Sequence, residues 1–336
     1  MMDWRWRLSE IKQDKPVKVF STFSCGGGST MGYKRAGFKV LGNVELDPAI
    51  NAMYMSNHHP IYNYCMDLRD FNKIDRIPDE LKNLDILDGS PPCSTFSMAG
   101  SREKAWGIEK QFREGQKMQT LDDLFFVFLD TVEKLRPKVV IAENVAGLVM
   151  GNAKGYVREI VRRFSDLGYE VQLFKLNAAF MDVPQKRERV FFIANRRGYP
   201  ALKLNFNHTP IQFRSVRTMQ GKDVNSTSQL YSRLKLVKPG DRNMSSMMKR
   251  MYGKNSNFST VLVADNRVCN TVTSSGSFVR MADKKLFSDK DFINVQTFPQ
   301  DYDFMGNSVQ YVCGMSVPPN MMANIAMEVW KQWLGR

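Results

Sequence analysis

A chain of 336 residues, 43% of them hydrophobic, has enough apolar content to bury one large α/β core and leave chain for a second, smaller lobe. Its formal net charge of +14 favours a polyanionic partner, with nucleic acid the leading class. No run of about 18 apolar residues is present to span a membrane, Met1-Met2-Asp3-Trp4-Arg5 lacks the apolar core of a signal peptide, and Cys25, Cys65, Cys93, Cys269 and Cys313 form no CxxC pair. Neither a disulfide framework nor a metal site is suggested, and a soluble, cytoplasmic, monomeric protein is expected.

In chain order, short apolar runs occur at 17–20 (VKVF), 38–45 (FKVLGNVE), 84–88 (LDILD), 138–144 (KVVIAEN) and 189–195 (RVFFIAN). Helix-period patterns separate several of them, notably over 121–135 and 154–167. That alternation predicts an α/β fold with a mostly parallel sheet covered by helices on both faces. Beyond Gly198 the texture becomes rich in Asn, Ser, Lys and Arg to about residue 258, which reads as a separate lobe with long loops. The last segment regains a helical apolar face through Met321, Ile325, Val329 and Trp330 after Pro318-Pro319, a helix-start signal. The expected division is an N-terminal arm (1–15), a first domain (16–197), a second domain (198–305, with its core at 198–265) and a C-terminal segment (306–336) returning to the first domain.

The first strand runs into Phe23-Ser24-Cys25-Gly26-Gly27-Gly28, and a glycine-rich turn between strand and helix lets a ligand approach the backbone. Glycine clusters are often plain turns, but Glu45 ends the next strand about 20 residues on, where doubly wound folds place an acid on ribose hydroxyls. Asp67 follows another apolar stretch, either as a solvated loop acid or as an acceptor for an adenine amino group. In Asp88-Gly89-Ser90-Pro91-Pro92-Cys93-Ser94 a cysteine follows two prolines that stiffen the backbone just past a strand end. Most cysteines are inert core residues, yet strand ends are where open α/β sheets bind ligands, which moves Cys93 toward nucleophile. The next strand ends in Glu143-Asn144, where the carboxyl is either a solvated strand-end acid or, in the adjacent crevice, a group whose pKa burial raises for proton donation. In Gln185-Lys186-Arg187-Glu188-Arg189, alternation sends Arg187 and Arg189 to one face. They form either a solvated charge run or a pair that fixes a base edge or phosphates.

FSCGGG, Glu45, Asp67, GSPPCSTFS, AENV and QKRER, in this order, resemble the ordered motif set of cytosine-5 DNA methyltransferases over about residues 17–197 and 262–336. Each motif alone is weak, and six in the right order are highly specific. The resemblance implies a class I, Rossmann-like methyltransferase fold with a smaller target-recognition domain, S-adenosyl-L-methionine as cofactor and double-stranded DNA as partner. It further implies a restriction-modification or protective role, with a separate cognate restriction endonuclease as an allied protein. Phe23 would pack on the adenine, Glu45 would bind the ribose and Asp67 the adenine amino group. Pro92 and Leu124 would line the same pocket, and Cys25, Gly27, Gly28, Leu46, Leu68 and Ser316 complete the implied cofactor set. Cys25 stands where the family usually has glycine, and Ser94 where glutamine commonly follows the nucleophile.

By the same resemblance, Cys93, Glu143, Arg187 and Arg189 form the catalytic group. Cys93 would add to C6 of the cytosine, Glu143 would act at N3 and the amino group, and Arg189 would donate to O2 as charge builds. The base must be flipped out of the helix to be reached, and residues 98–120, with Arg102, Lys104, Lys110 and Arg113, would close over it as a loop. A transfer-RNA cytosine methyltransferase is the nearest rival, although the Cys-Phe-Thr tripeptide usual in those relatives is absent. A non-catalytic nucleic-acid-binding protein on the same fold is the other. For the family's final motif, Gly306-Asn307-Ser308-Val309 matches by letter but reads as a loop with no immediate helix. Gly314-Met315-Ser316-Val317 has Met for Asn, yet leads straight into the proline-led helix, which points to Ser316.

Overall fold

The computed structural model describes residues 2–92, 109–110, 119–120, 124–149, 154–254 and 260–335. Seven strands make one sheet, numbered here in chain order: β1 (Lys18–Thr22), β2 (Lys39–Glu45), β3 (Tyr62–Cys65), β4 (Ile86–Gly89), β5 (Val139–Val145), β6 (Glu170–Asn177) and β7 (Glu188–Asn195). Their order in space is β3-β2-β1-β4-β5-β7-β6. The first five pair in parallel, whereas β7 runs antiparallel to both β5 and β6. Residues Val139 to Ala142 of the central β5 are fully buried, as expected for a strand covered on both faces.

Helix Leu124–Leu135 buries Leu124, Phe125, Phe128, Leu129, Val132 and Leu135, an i, i+4 stripe laid on the sheet. Lys154–Asp166 buries only Ile160 and Phe164 and turns a basic face to solvent. Chain order reverses between β1 and β4, so the loops after these two strands flank the topological switch point, where open α/β sheets bind ligands. No described helix is long and apolar enough to cross a membrane.

The chain divides into two compact units, one of Glu10–Asn177, Glu188–Asn205 and Met322–Arg336, the other of Met1–Ser9, Ala178–Arg187 and Phe206–Met321. The first holds the seven-stranded sheet. Among the described residues the second has short strand pairs, Val261–Val263 with Phe278–Arg280 and Cys269–Asn270 with Gln185–Lys186. Its centre includes Leu234, Met244, Met247, Leu262 and Val279, and the fully buried Arg280 pairs with the equally buried Asp291 at 3.4 Å. Few apolar runs of strand length in this region explain why its strands stop at two or three residues.

One expectation is corrected here. Ser308 does not sit in a helix-free loop: it caps the helix Val309–Met315, its Oγ accepting from the Tyr311 N–H at 3.3 Å. The missing proline misled, since a serine N-cap is itself a sufficient start signal. Pro319–Val329 forms the expected helix.

Candidate active site

β1 ends at Thr22, and the next residues turn sharply. Phe23 (φ 52°) and Cys25 (φ 46°) both lie in the left-handed region, which side-chain-bearing residues enter at a cost. That geometry accounts for the family's usual glycine at the position of Cys25. Gly27 (φ 73°) precedes helix Gly28–Arg35, and a Cβ there would come within 2.2 Å of His58 Nε2. Burial and the nearby Lys34 ammonium hold the His58 pKa well below its usual value, so a neutral imidazole fills the space beneath the loop.

Glu45 closes over this turn from β2. One carboxylate oxygen accepts from the Cys25 N–H at 2.8 Å and the other from the Asp47 N–H at 3.0 Å. Burial raises its pKa, and these N–H bonds oppose the rise. Each oxygen has a second lone pair, so Glu45 shapes the loop and still has acceptor capacity for a ligand hydroxyl. Leu46 beside it is half-buried. Asp67 caps helix Leu68–Lys73 through the Arg69 N–H and pairs with the Arg69 guanidinium at 3.2 Å, with Leu68 buried next to it. Phe23 packs on the main core, of which Leu124 is a buried member.

On the other side of the switch point, Arg189 Nε meets Glu143 Oε1 at 2.8 Å, both side chains largely shielded from water. The register of β5 with β7 sets Glu143 opposite Phe191, so Arg189 lies two residues along on the same face. Asn144 turns to the opposite face and donates from Nδ2 to the Pro91 carbonyl at 3.0 Å, anchoring the Pro91-Pro92 turn. Cys93 and Ser94, together with most of the basic stretch 98–120, lie outside the described residues; only the pairing of Glu109–Lys110 with Gln119–Thr120 is described there.

Arg187 belongs to the second unit. It is buried and donates to the carbonyls of Val272 (3.1 Å) and Gly314 (3.0 Å), which ties the TVT segment to the GMSV segment. Gly314 leaves no room for a side chain, since a Cβ would lie 2.4 Å from the Thr273 and Ser274 backbone. Ser316 is buried, its carbonyl accepts from Gln296 Nε2 at 2.7 Å, and its Oγ has no hydrogen-bond partner among the described residues.

The family model for the C-5 cytosine-specific DNA methylases matches residues 17–331. The chain belongs to that family. It is accordingly an enzyme of the DNA methyltransferase class. Among its relatives, the type II methyltransferase M1.HphI of Haemophilus parahaemolyticus is 29% identical over 332 residues, covering 92% of this chain and 85% of that one. M.Sau96I of Staphylococcus aureus is 28% identical over 340 residues, covering 94% and 76%. A putative DNA modification methyltransferase from an Escherichia coli prophage shares the fold, with a TM-score of 0.67 at 18% identity over 95% of this chain and all of that one. Spodoptera frugiperda DNMT2 gives 0.63 at 16% over 94% and 99%.

Within this methylase, several residues around the site make contacts that the motifs do not specify. Asp88, immediately before Gly89-Ser90-Pro91-Pro92, is buried, and accepts from Ser21 Oγ at 2.8 Å and from Tyr33 OH at 3.1 Å. Asn144 was legible only as the neighbour of Glu143. Asn43, Asn51 and Asn63 meet beneath the glycine loop although no motif links them.

Proposed function

We propose that this protein transfers a methyl group from S-adenosyl-L-methionine to C5 of a flipped cytosine in a specific duplex DNA sequence, as the modification enzyme of a restriction-modification or protective system. The observation that carries the reading is the shielded Glu143–Arg189 ion pair beside a proline turn that Asn144 holds and that leads directly to Cys93. Glycine-loop geometry and the spare acceptor capacity of Glu45 fit a ribose, and Phe23 fits a stacking surface for the adenine. Asp67, Leu46, Leu68, Pro92 and Leu124 complete that pocket together with Cys25, Gly27 and Gly28. The cofactor supplies an electrophilic sulfonium methyl.

Cytosine C5 is a poor nucleophile. Addition of the Cys93 thiolate to C6 turns C5 into an enamine-like carbon, which would take the sulfonium methyl as its C–S bond breaks and the neutral thioether of the spent cofactor departs. Glu143 holds the base by its 4-amino group and carries a proton at N3, and Arg189 donates to O2 as negative charge develops there. After transfer the C5 proton leaves to a base, and elimination restores the Cys93 thiolate and the 5,6 double bond. Arg187 fixes the Val272 and Gly314 carbonyls within the second unit. Residues 198–265, most of which lie in the second unit, read the DNA sequence.

Purified protein given methyl-labelled cofactor and either duplex DNA or transfer RNA tests the reading. Label in 5-methylcytosine of the duplex supports it, and label confined to transfer RNA overturns it. Glu143→Gln should lower turnover by about 10²-fold or more with cofactor affinity nearly unchanged, since the carboxyl acts on the base. Equal losses in both would contradict the assignment.

Ser316 is proposed to face the methionyl end of the cofactor. Because its Oγ is buried without a partner among the described residues, Ser316→Ala should leave the stability of the free protein unchanged or slightly raised while weakening cofactor binding. Ser308→Ala should do the reverse, costing about 1 kcal/mol of stability through the lost helix cap with cofactor affinity intact. Calorimetric titration of both variants with the cofactor, alongside urea melts, reads the two effects separately, and the opposite assignment of effects would overturn the choice of Ser316.

A further inference from the structure

Three amides meet under the glycine loop. Asn43, on β2, is fully buried, and its Nδ2 donates to Ser24 Oγ at 3.0 Å and to Asn51 Oδ1 at 3.1 Å. Its Oδ1 accepts from Asn63 Nδ2 at 2.8 Å. Asn63 Nδ2 also donates to Asn51 Oδ1 at 2.8 Å, and Asn51 Nδ2 returns a bond to Asn63 Oδ1 at 2.9 Å. The register puts Asn43 beside Asn63 of β3 on one side and beside Ser21 of β1 on the other, and Asn51 comes from helix Pro48–His58. A buried strand position is ordinarily apolar, so three polar side chains satisfied almost entirely by one another define one arrangement of the segments that bear them.

The segments they join are the three that carry the proposed adenosyl contacts. Ser24 follows Phe23, Asn43 precedes Glu45 on the same face of β2, and Asn63 stands on the strand that leads to Asp67. Ser24 is gripped through its hydroxyl by Asn43, and Cys25 through its N–H by Glu45. This double hold sits between two residues of left-handed backbone, Phe23 and Cys25, a conformation that persists only where its surroundings impose it.

We propose that Asn43, Asn51 and Asn63 are positioning residues that set cofactor affinity by holding these three segments in register. The inference rests on the S-adenosyl-L-methionine reading above. It separates binding from chemistry, because no amide of the relay touches the base or the Glu143–Arg189 pair.

The test uses the full-length protein. Asn43→Leu, of similar volume and without the amide, and Asn63→Ala, at the half-buried end of the relay, are titrated calorimetrically with S-adenosyl-L-methionine and assayed at saturating cofactor. Thr30→Val provides the control, since Thr30 is buried and bonded to Tyr54 OH at 2.8 Å but lies outside the relay. Both asparagine variants should raise the cofactor Kd and KM by about tenfold or more, with kcat at saturating cofactor within about twofold of wild type. Thr30→Val should lower Tm without moving Kd. If the asparagine variants lower Tm while the folded protein binds cofactor as the wild type does, the relay is only structural and the proposal falls. A drop in kcat equal to the drop in kcat/KM also overturns it. Should Asn43→Leu fail to fold, Asn63→Ala carries the same decision. A wild-type protein that binds no S-adenosyl-L-methionine refutes the parent reading instead, so the two failures are distinct.

Discussion

Replacing Cys93 by alanine should abolish methyl transfer, lowering kcat/KM by on the order of 10⁴-fold or more, with cofactor affinity close to wild type. Cys93 is the group proposed to form the bond to C6, and without that bond C5 lacks the electron density to attack a methyl group. The position is prepared by its approach. Thr22 Oγ1 donates to the Asp88 carbonyl at 3.1 Å and Asn144 to the Pro91 carbonyl at 3.0 Å, so the backbone is fixed two residues before the thiol. Duplex DNA carrying 5-fluorocytosine at the target extends the test, because fluorine cannot leave as the C5 proton does and the adduct should persist through denaturation in the wild type only. An adduct that survives in Cys93→Ala would place the nucleophile elsewhere, and a parallel collapse of cofactor binding would make Cys93 a structural residue.

What the sequence made legible follows from how locally each feature is encoded. β1, β2, β4, β5 and β7 were readable because a strand buried on both faces is a contiguous apolar run, whether its neighbours run parallel or, as for β7, antiparallel. β3 (YNYC) and β6 (EVQLFKLN) were not anticipated, the first being short and half-polar and the second a largely exposed edge strand. The pairing of Glu143 with Arg189 was expected only as a shared role, since their contact depends on the register of β5 against β7, which separated motifs do not specify. The asparagine relay was invisible for a stronger reason. A lone Asn in a strand reads as an exposed or turn residue, and only the fold shows that positions 43, 51 and 63 satisfy one another. The second unit draws on three stretches far apart in the chain, a grouping that composition along the sequence does not reveal. Arg187 shows the limit of alternation: it placed the side chain on a face, while the structure directs two of its N–H donors to carbonyls.

Asp88→Asn should stabilise the protein above neutral pH, and the gain should shrink as the pH falls. Burial, opposed in part by hydrogen bonds from Ser21, Tyr33 and Ser29 and reinforced by the negative Glu143, raises the Asp88 carboxyl from 3.8 to about 7. The groups turned toward it from the packed helices are Tyr33 and Tyr54, whose hydroxyls are themselves driven upward mainly by burial and further by this carboxylate. An acid whose pKa is raised on folding binds its proton more tightly in the native state. Its contribution to stability is therefore fully present below the unfolded value of 3.8, declines as pH rises toward 7, and is lost above that. At pH 8 the wild type holds a buried charge that the unfolded chain would solvate freely, whereas asparagine offers the neutral form at every pH. Ser21 and Tyr33 can rotate their hydroxyls to suit an amide oxygen or an amide N–H. Between pH 8 and pH 5 the stability gap between variant and wild type should close by about 3 kcal/mol, from the differential protonation of one group over roughly two pH units below 7. Urea melts of both proteins at the two pH values measure it, and the titrating groups that do not interact with Asp88 cancel in the difference. A gap that stays constant with pH, or an asparagine variant that is the less stable protein at pH 8, would show that Asp88 is held as a charge and that Ser21 and Tyr33 stabilise the carboxylate rather than tolerate it.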